Sequence, residues 1–272
     1  MVAPLVSKFV KVLNGIDQSK RRTEVFSDFC EMAYCSLAKV ASPYADQKDA
    51  LEKQYMEVVG RYRNKDDVWK IPELLGISLE AIHLGGIDFL GAVAGELGAL
   101  DARLGQFFTP YEISRLMAEI NLQGVEKTIE ENGFVTVSEP AVGAGGMVIA
   151  VADVIEGLGF DPARHLWVEA VELSRTTYYM AYVQINTRGV AGKIICGNSL
   201  SLETNVSAYT AAAPVFISKN GHPFAKQRAA QKLEAEATAA FEQKQTDERA
   251  ERLSGLAASK PTIGAEQLGL FD

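Results

Sequence analysis

Apolar side chains recur at steps of three and four through the first part of the chain, in VSKFVKVLNGI, over residues 27–40 and in ALEKQYMEVVGRYR from Ala50. That spacing lays one apolar stripe along a helix. Pro43, Pro72 and the pair Gly85 and Gly86 punctuate the runs, because proline lacks the amide donor and glycine the Cβ that favour a continuing helix. A helical domain is therefore expected over 1–104. Beyond Gly105 the texture changes to short β-rich runs alternating with helical ones: FVTVSEP, MVIAVADVIEGL, LWVEAVEL, TTYYMAYVQINTRG and KIICGNSL. Such alternation predicts strand-helix-strand units on a parallel sheet, hence an α/β domain over 105–223.

From 224 to about 253 Ala, Glu, Gln, Lys and Arg dominate, with both signs of charge interspersed. This reads as one long exposed helix. A loop with Lys260 and Pro261 follows, and the chain ends in QLGLFD. The third region is thus a charged helix and tail over 224–272.

Composition narrows the options. With 272 residues and 47% hydrophobic content, the chain can bury a full-sized core. No stretch approaches the roughly eighteen consecutive apolar residues of a membrane span, and no cleavage site follows the start, so a cytoplasmic protein is expected. A net charge of −8 argues against coating nucleic acid by bulk electrostatics, so any DNA contact must be local. Cys30, Cys35 and Cys196 are too few and too unevenly spaced for a disulfide frame or zinc site, and no metal is expected. His83, His165 and His222 stand isolated.

The chemistry concentrates in SEPAVGAGGM, where a strand runs through Glu139, Pro140, Ala141 and Val142 into Gly143 and Gly145 and then opens a helix. Glycine there lets a ligand approach bare backbone, and the helix start offers free N–H groups. A dinucleotide site would hold a pyrophosphate on G-x-G-x-x-G and place its acid about twenty residues later. Here Glu139 stands four residues before the first glycine, which suits a cofactor with a cationic amino-acid end and no phosphate. Two readings stand for the turn alone: such a cradle, or the ordinary glycine turn of an α/β domain.

Neighbouring spacings add to it. Glu172 ends the run LWVEAVEL, where a carboxylate can accept from both hydroxyls of a ribose, or simply face solvent. Asn198 ends the next run, where it can read an adenine amino group or form a turn. In LGQFFTP, Thr109 is placed to cap the helix YEISRLMAEI with Pro110 at its first position, and Phe107 and Phe108 supply an apolar wall. Three strand ends would then meet one crevice, as in open parallel sheets.

The order GQFFTP, SEPAVGAGGM, VELSRTTYYMAYVQINTRG and IICGNSL resembles the N6-adenine DNA methylases of the type I restriction-modification M-subunit kind, over about residues 85–203. The resemblance implies an S-adenosylmethionine-dependent methyltransferase sheet of Rossmann-like form behind an N-terminal helical domain. It implies that Phe108, Thr109 and Pro110 border the methionine end of S-adenosyl-L-methionine, that Glu139, Ala141, Gly143 and Gly145 cradle it, and that Glu172 takes the ribose and Asn198 the adenine. DNA is the implied partner, in a restriction-modification or mobile-element setting.

Two departures qualify it. Glu139 and Asn198 stand where the family has Asp. The Asn/Asp-Pro-Pro-Tyr/Phe tetrapeptide expected after the third strand, which would bond the target amino group of a flipped base, is absent, and no Pro-Pro pair occurs anywhere. In its place 211–218 reads as a fourth strand with no acceptor side chain. Too little β-patterned chain follows for the three further strands of a complete sheet, so the sheet is expected to be shortened, or finished by a partner subunit or second copy. The catalytic residues are therefore open. The alternative is a catalytically lapsed cofactor- and DNA-binding protein that modulates restriction, methylation or replication.

The terminal Gln267, Leu268, Leu270 and Phe271 resemble the Gln-Leu-x-Leu-Phe peptide that docks on the bacterial β sliding clamp. Two leucines and a phenylalanine would fill an apolar groove while the glutamine orients them; the other reading is a tail that tucks onto its own domain.

Overall fold

The computed structural model describes residues 3–99 and 108–224, with isolated positions between 233 and 246. The chain divides into two compact units, Met1–Gly221 and His222–Asp272. In the second, the described positions Leu233, Glu236, Thr238, Phe241 and 243–246 are helical. The remainder of the expected 224–253 helix, and the tail with Gln267, Leu268, Leu270 and Phe271, lie outside the described residues.

The first unit opens with helices α1 (Ala3–Asn14), α2 (Arg22–Ala41), α3 (Ala45–Gly60), α4 (Lys65–Val68), α5 (Ile71–His83) and α6 (Phe89–Glu96). Then come α7 (Tyr111–Asn121), α8 (Val125–Asn132), β1 (Val135–Glu139), α9 (Gly146–Gly157), α10 (Pro162–His165), β2 (Leu166–Glu172), α11 (Arg175–Thr187), β3 (Ala191–Asn198), β4 (Glu203–Tyr209) and α12 (Ala213–Asn220). The sheet order is β1-β2-β3-β4. The first three strands are parallel and β4 returns antiparallel to β3. Both crossovers step the same way across the sheet, so right-handed connections put α9 and α11 on one face.

One sequence expectation is corrected here. The fourth strand is 203–209, not 211–218, most of which forms α12. Pro214 explains the switch: it lies in the first turn of α12, where its missing N–H costs nothing and its fixed φ favours a helix. Glu203–Tyr209 escaped notice because its burial alternates between exposed and intermediate, leaving little apolar periodicity to read.

β2 shows how the sheet is sandwiched. Leu166, Val168 and Ala170 join the main core with α9 and α11, while Trp167 on the opposite face meets the Phe216 ring of α12 at 5.2 Å. The N-terminal helices join that same main core. Tyr34 of α2 stacks on Tyr179 of α11 at 4.8 Å and meets Tyr182 edge-on at 5.0 Å. Each such pair contributes about 1 kcal/mol beyond area burial. The Oγ atoms of Ser27 and Thr176 hydrogen-bond at 2.8 Å, and Gln54 Nε2 donates to the Tyr179 hydroxyl at 2.8 Å.

At the other side of the sheet, β1 pairs only with β2 among the described strands. Helix α7, which packs on α9, exposes Ile113, Leu116, Met117 and Ile120, a stripe at helical spacing. No described helix is long and apolar enough to cross a membrane.

Candidate functional site

β1 delivers Glu139 to the C-terminal edge of the sheet, and the chain turns there through two left-handed glycines, Gly143 at φ +58° and Gly145 at φ +105°. Side chains rarely adopt that region. Each glycine also meets a neighbour: a Cβ on Gly143 would lie 3.3 Å from Phe108 Cδ1, and one on Gly145 would lie 3.4 Å from Ile185 of α11. The Phe108 ring thus closes over the bare backbone of the turn, and α9 starts directly behind it.

The turn is braced by carboxylates. Gly143 N–H donates to Glu172 Oε2 at 3.0 Å, Ser174 N–H to Glu172 Oε1 at 2.8 Å, and Ala141 N–H to Glu139 Oε1 at 3.1 Å. Glu172 therefore ties the end of β2 to the turn after β1. Asp153 fixes the entry to α7. Buried in α9, it accepts from Gly86 N–H at 2.8 Å, Arg188 Nε at 2.8 Å and the Tyr111 hydroxyl. Its charge is matched by the Arg188 guanidinium at 2.7 Å, as a buried carboxylate requires. Burial, and then the bond to Asp153, pushes the Tyr111 hydroxyl up to about 12.

These elements enclose a cavity of about 160 Å³. Phe108, Thr109, Glu139, Ala141 and Gly143 line it, with Val142, Ala144, Gly146 and Met147 completing the turn side. Asp88 and Ser114 line it as well. A larger hollow of about 440 Å³ lies between α2 and α3, but none of the motif residues lines it. Its Cys35 thiol is pushed up to about 12, chiefly by burial, which leaves it inert.

The structure thus brings Phe108, Thr109, Glu139, Ala141 and Gly143 to one cavity, with Gly145 directly behind and Glu172 attached through Gly143. It does not place Thr109 as a cap. α7 begins at Tyr111, Pro110 holds the N-cap position and no side chain caps the helix. A proline before the first helical residue leaves Thr109 one position too far out, and Thr109 lines the cavity instead. Asn198 stands apart from it: its Oδ1 accepts from Leu200 N–H at 2.9 Å and Ser201 N–H at 3.3 Å, forming the turn into β4.

Three site residues had no motif to announce them. Asp88, Ser114 and Gln184 are buried polar groups; Asp88 and Gln184 sit within apolar runs, the one signal the sequence held, while Ser114 lies in a mixed helix that gave none. Gln184 is satisfied on every side. Its Nε2 donates to Asp88 Oδ1 and to the Ala144 carbonyl, each at 2.7 Å, while its Oε1 accepts from Leu90 N–H at 3.0 Å. It locks α6, α11 and the glycine turn together.

The profile of the N-6 DNA Methylase family matches residues 92–250, more than half of the chain. A Listeria monocytogenes chain assigned as a class I S-adenosylmethionine-dependent methyltransferase aligns with a TM-score of 0.43 and 14% identity, over 75% of this chain and 56% of that one. The chain therefore spans little more than half the length of that structure. No curated protein matches.

Proposed function

The chain belongs to the N-6 DNA methylase family, and on that premise we propose that its glycine-turn cavity seats S-adenosyl-L-methionine for methyl transfer to adenine N6 in DNA. The observation that carries this reading is the Phe108-covered, carboxylate-braced turn at Gly143. The residues fit the cofactor. A Cβ at Gly143 would be pressed by Phe108, so the backbone is bare for a reason. The described cavity lining holds two acids, Asp88 and Glu139, and no Lys, Arg or His, which favours a cation over a phosphate.

Phe108, Thr109, Glu139, Ala141 and Gly143 would hold the methionine end, with Pro110 and Gly145 supporting that wall. Glu172 keeps lone pairs for the ribose hydroxyls beside the two N–H groups it already accepts, and Asn198 would approach the adenine from its turn. When bound, the cofactor supplies an electrophilic methyl group. The chain's own part is to orient it and exclude water around it.

Proton acceptance from the target amine is assigned to a partner chain, because Ala211, Ala212, Ala213 and Pro214 offer no acceptor side chain where the family tetrapeptide would stand. The open edge of β1 and the exposed α7 stripe support such completion. The same substitution favours a second reading, in which the protein binds cofactor and DNA and modulates restriction, methylation or replication without transferring methyl groups. The QLGLF tail would tether either form to the sliding clamp.

Calorimetric titration with S-adenosyl-L-methionine tests the common premise, with saturable binding expected. No binding at millimolar supply overturns it. Radiolabelled methyl transfer to DNA, with and without candidate partners, then separates the two readings, and a complete lack of label leaves the modulator.

A further inference from the structure

Two oxygens in the cavity wall, Asp88 Oδ2 and Ser114 Oγ, have no hydrogen-bond partner among the described residues. Asp88 caps α6 through Oδ1, which accepts from Gly91 N–H at 2.8 Å and from Gln184 Nε2 at 2.7 Å. Its second oxygen, Oδ2, has no hydrogen-bond partner among the described residues. Oδ2 lies where a Cβ on Gly91 would come within 2.2 Å and one on Gly146 within 3.0 Å, so two glycines leave room for a carboxylate held against the turn. Asp88 is only 7% exposed. Burial pushes its carboxyl up, against the pull of Gln184 and Gly91. Ser114, fully buried in the first turns of α7, has an Oγ with no partner among the described residues.

A buried hydroxyl left unpaired carries a desolvation cost of about 1–3 kcal/mol unless a ligand satisfies it, and the Asp88 carboxyl, on a side chain only 7% exposed, stands in the wall of the same cavity. Their cavity contains no described basic side chain to serve as an internal counter-ion. The missing partner must therefore be a donor, positively charged, and small enough to reach past Phe108. A primary ammonium meets all three conditions, whereas a ribose hydroxyl or an adenine amine meets only the first.

We propose that Asp88 and Ser114 form an ammonium subsite, and, on the reading that the cavity seats S-adenosyl-L-methionine, that they hold the α-amino group of its methionine end. Asp88 Oδ2 accepts from the ammonium and Ser114 Oγ takes up a remaining donor. Gln184, with all its bonds committed, acts as the positioning residue that keeps Oδ2 turned to the cavity.

The test titrates wild type, Asp88→Asn and Ser114→Ala with S-adenosyl-L-methionine, S-adenosylhomocysteine and 5′-methylthioadenosine, the last keeping the nucleoside but lacking the amino-acid group. Asp88→Asn retains the shape and the Oδ1 acceptor while replacing Oδ2 with a donor. It is expected to weaken the first two ligands by about tenfold or more, as loss of a charge-assisted bond does. Ser114→Ala should weaken them by about threefold, as loss of a neutral bond does. Binding of 5′-methylthioadenosine should not change. Thermal unfolding checks that each variant is folded. Equal affinity of wild type and a folded Asp88→Asn for S-adenosyl-L-methionine, or an equal loss of all three ligands, overturns the subsite alone. If Asp88→Asn does not fold, an unchanged Ser114→Ala overturns it. Failure of the wild type to bind S-adenosyl-L-methionine removes the parent reading and this inference with it.

Discussion

Two turns share the same edge of the sheet, and they are built in opposite ways. After β1, the turn through Gly143 and Gly145 is held by Glu139, Glu172 and Gln184, packed under Phe108 and set against a cavity. After β3, the turn into β4 is held by Asn198 Oδ1 and an exposed Ser201–Glu203 bond, and Leu200 and Leu202 stand 94% and 83% exposed. Leu202 even takes a left-handed φ of +62°, where a Cβ costs about 1 kcal/mol. The first turn is a preorganised socket. The second is a solvated hairpin in which Asn198 Oδ1 is spent on its own backbone. The contrast teaches that the two strand ends differ in preorganisation: the β1 turn is braced and set against an acidic cavity, while the β3 turn is left open to solvent.

The sharpest way to break the contrast is to remove the brace. Gln184→Leu would strand the Ala144 carbonyl and Leu90 N–H in the core and leave Asp88 Oδ1 with Gly91 N–H alone, and a loss of about 4 kcal/mol is expected in urea unfolding. A loss under about 1 kcal/mol would mean the turn holds itself.

The next effect compares the two strand-end residues directly. Glu172→Ala frees Gly143 N–H and Ser174 N–H and should reduce S-adenosyl-L-methionine affinity about 100-fold, the scale of two hydrogen bonds to a charged group. Asn198→Ala should cost less than about tenfold, because its carbonyl oxygen already serves Leu200 and Ser201. Equal losses would place the hairpin in the socket after all.

A milder probe uses pH. Tyr111 anchors the socket side through Asp153, and its protonated form is favoured by folding, since its value rises from 10.0 to about 12. Its contribution is therefore complete below pH 10.0 and fades as pH rises through about 12, following the proton-binding difference between folded and unfolded chains. Thermal melts of Tyr111→Phe should lose that part of the alkaline slope, and an unchanged slope would show that Tyr111 is not coupled to Asp153. The smallest effect belongs to the hairpin. Leu202→Gly relieves the left-handed Cβ without giving up buried area and should stabilise by about 0.5 kcal/mol once the added freedom of the unfolded chain is counted.

Legibility followed burial pattern. The runs that became β1, β2, β3, α9 and α11 were readable because each buries a face at a fixed period. β4 was not, because an edge strand half in solvent carries little periodic signal. At the site, Gly143 and Glu139 were readable as a local motif. Asp88 lies far from them in the chain and meets the turn only once the chain has packed, against Gly146 and through Gln184, so no short window contained the pair.

What the sequence by itself determined is the parallel strand-helix-strand core and the acid-flanked glycine turn, since both rest on periodicity and on backbone conformations that few residues can adopt. Only the tertiary structure decided that most of 211–218 turns into a helix, that Asn198 Oδ1 holds its own hairpin, and that Asp88 and Ser114 line one cavity. The reason is physical: hydrogen-bond satisfaction in a buried wall depends on groups brought together from distant segments, and that balance exists only once the chain has packed.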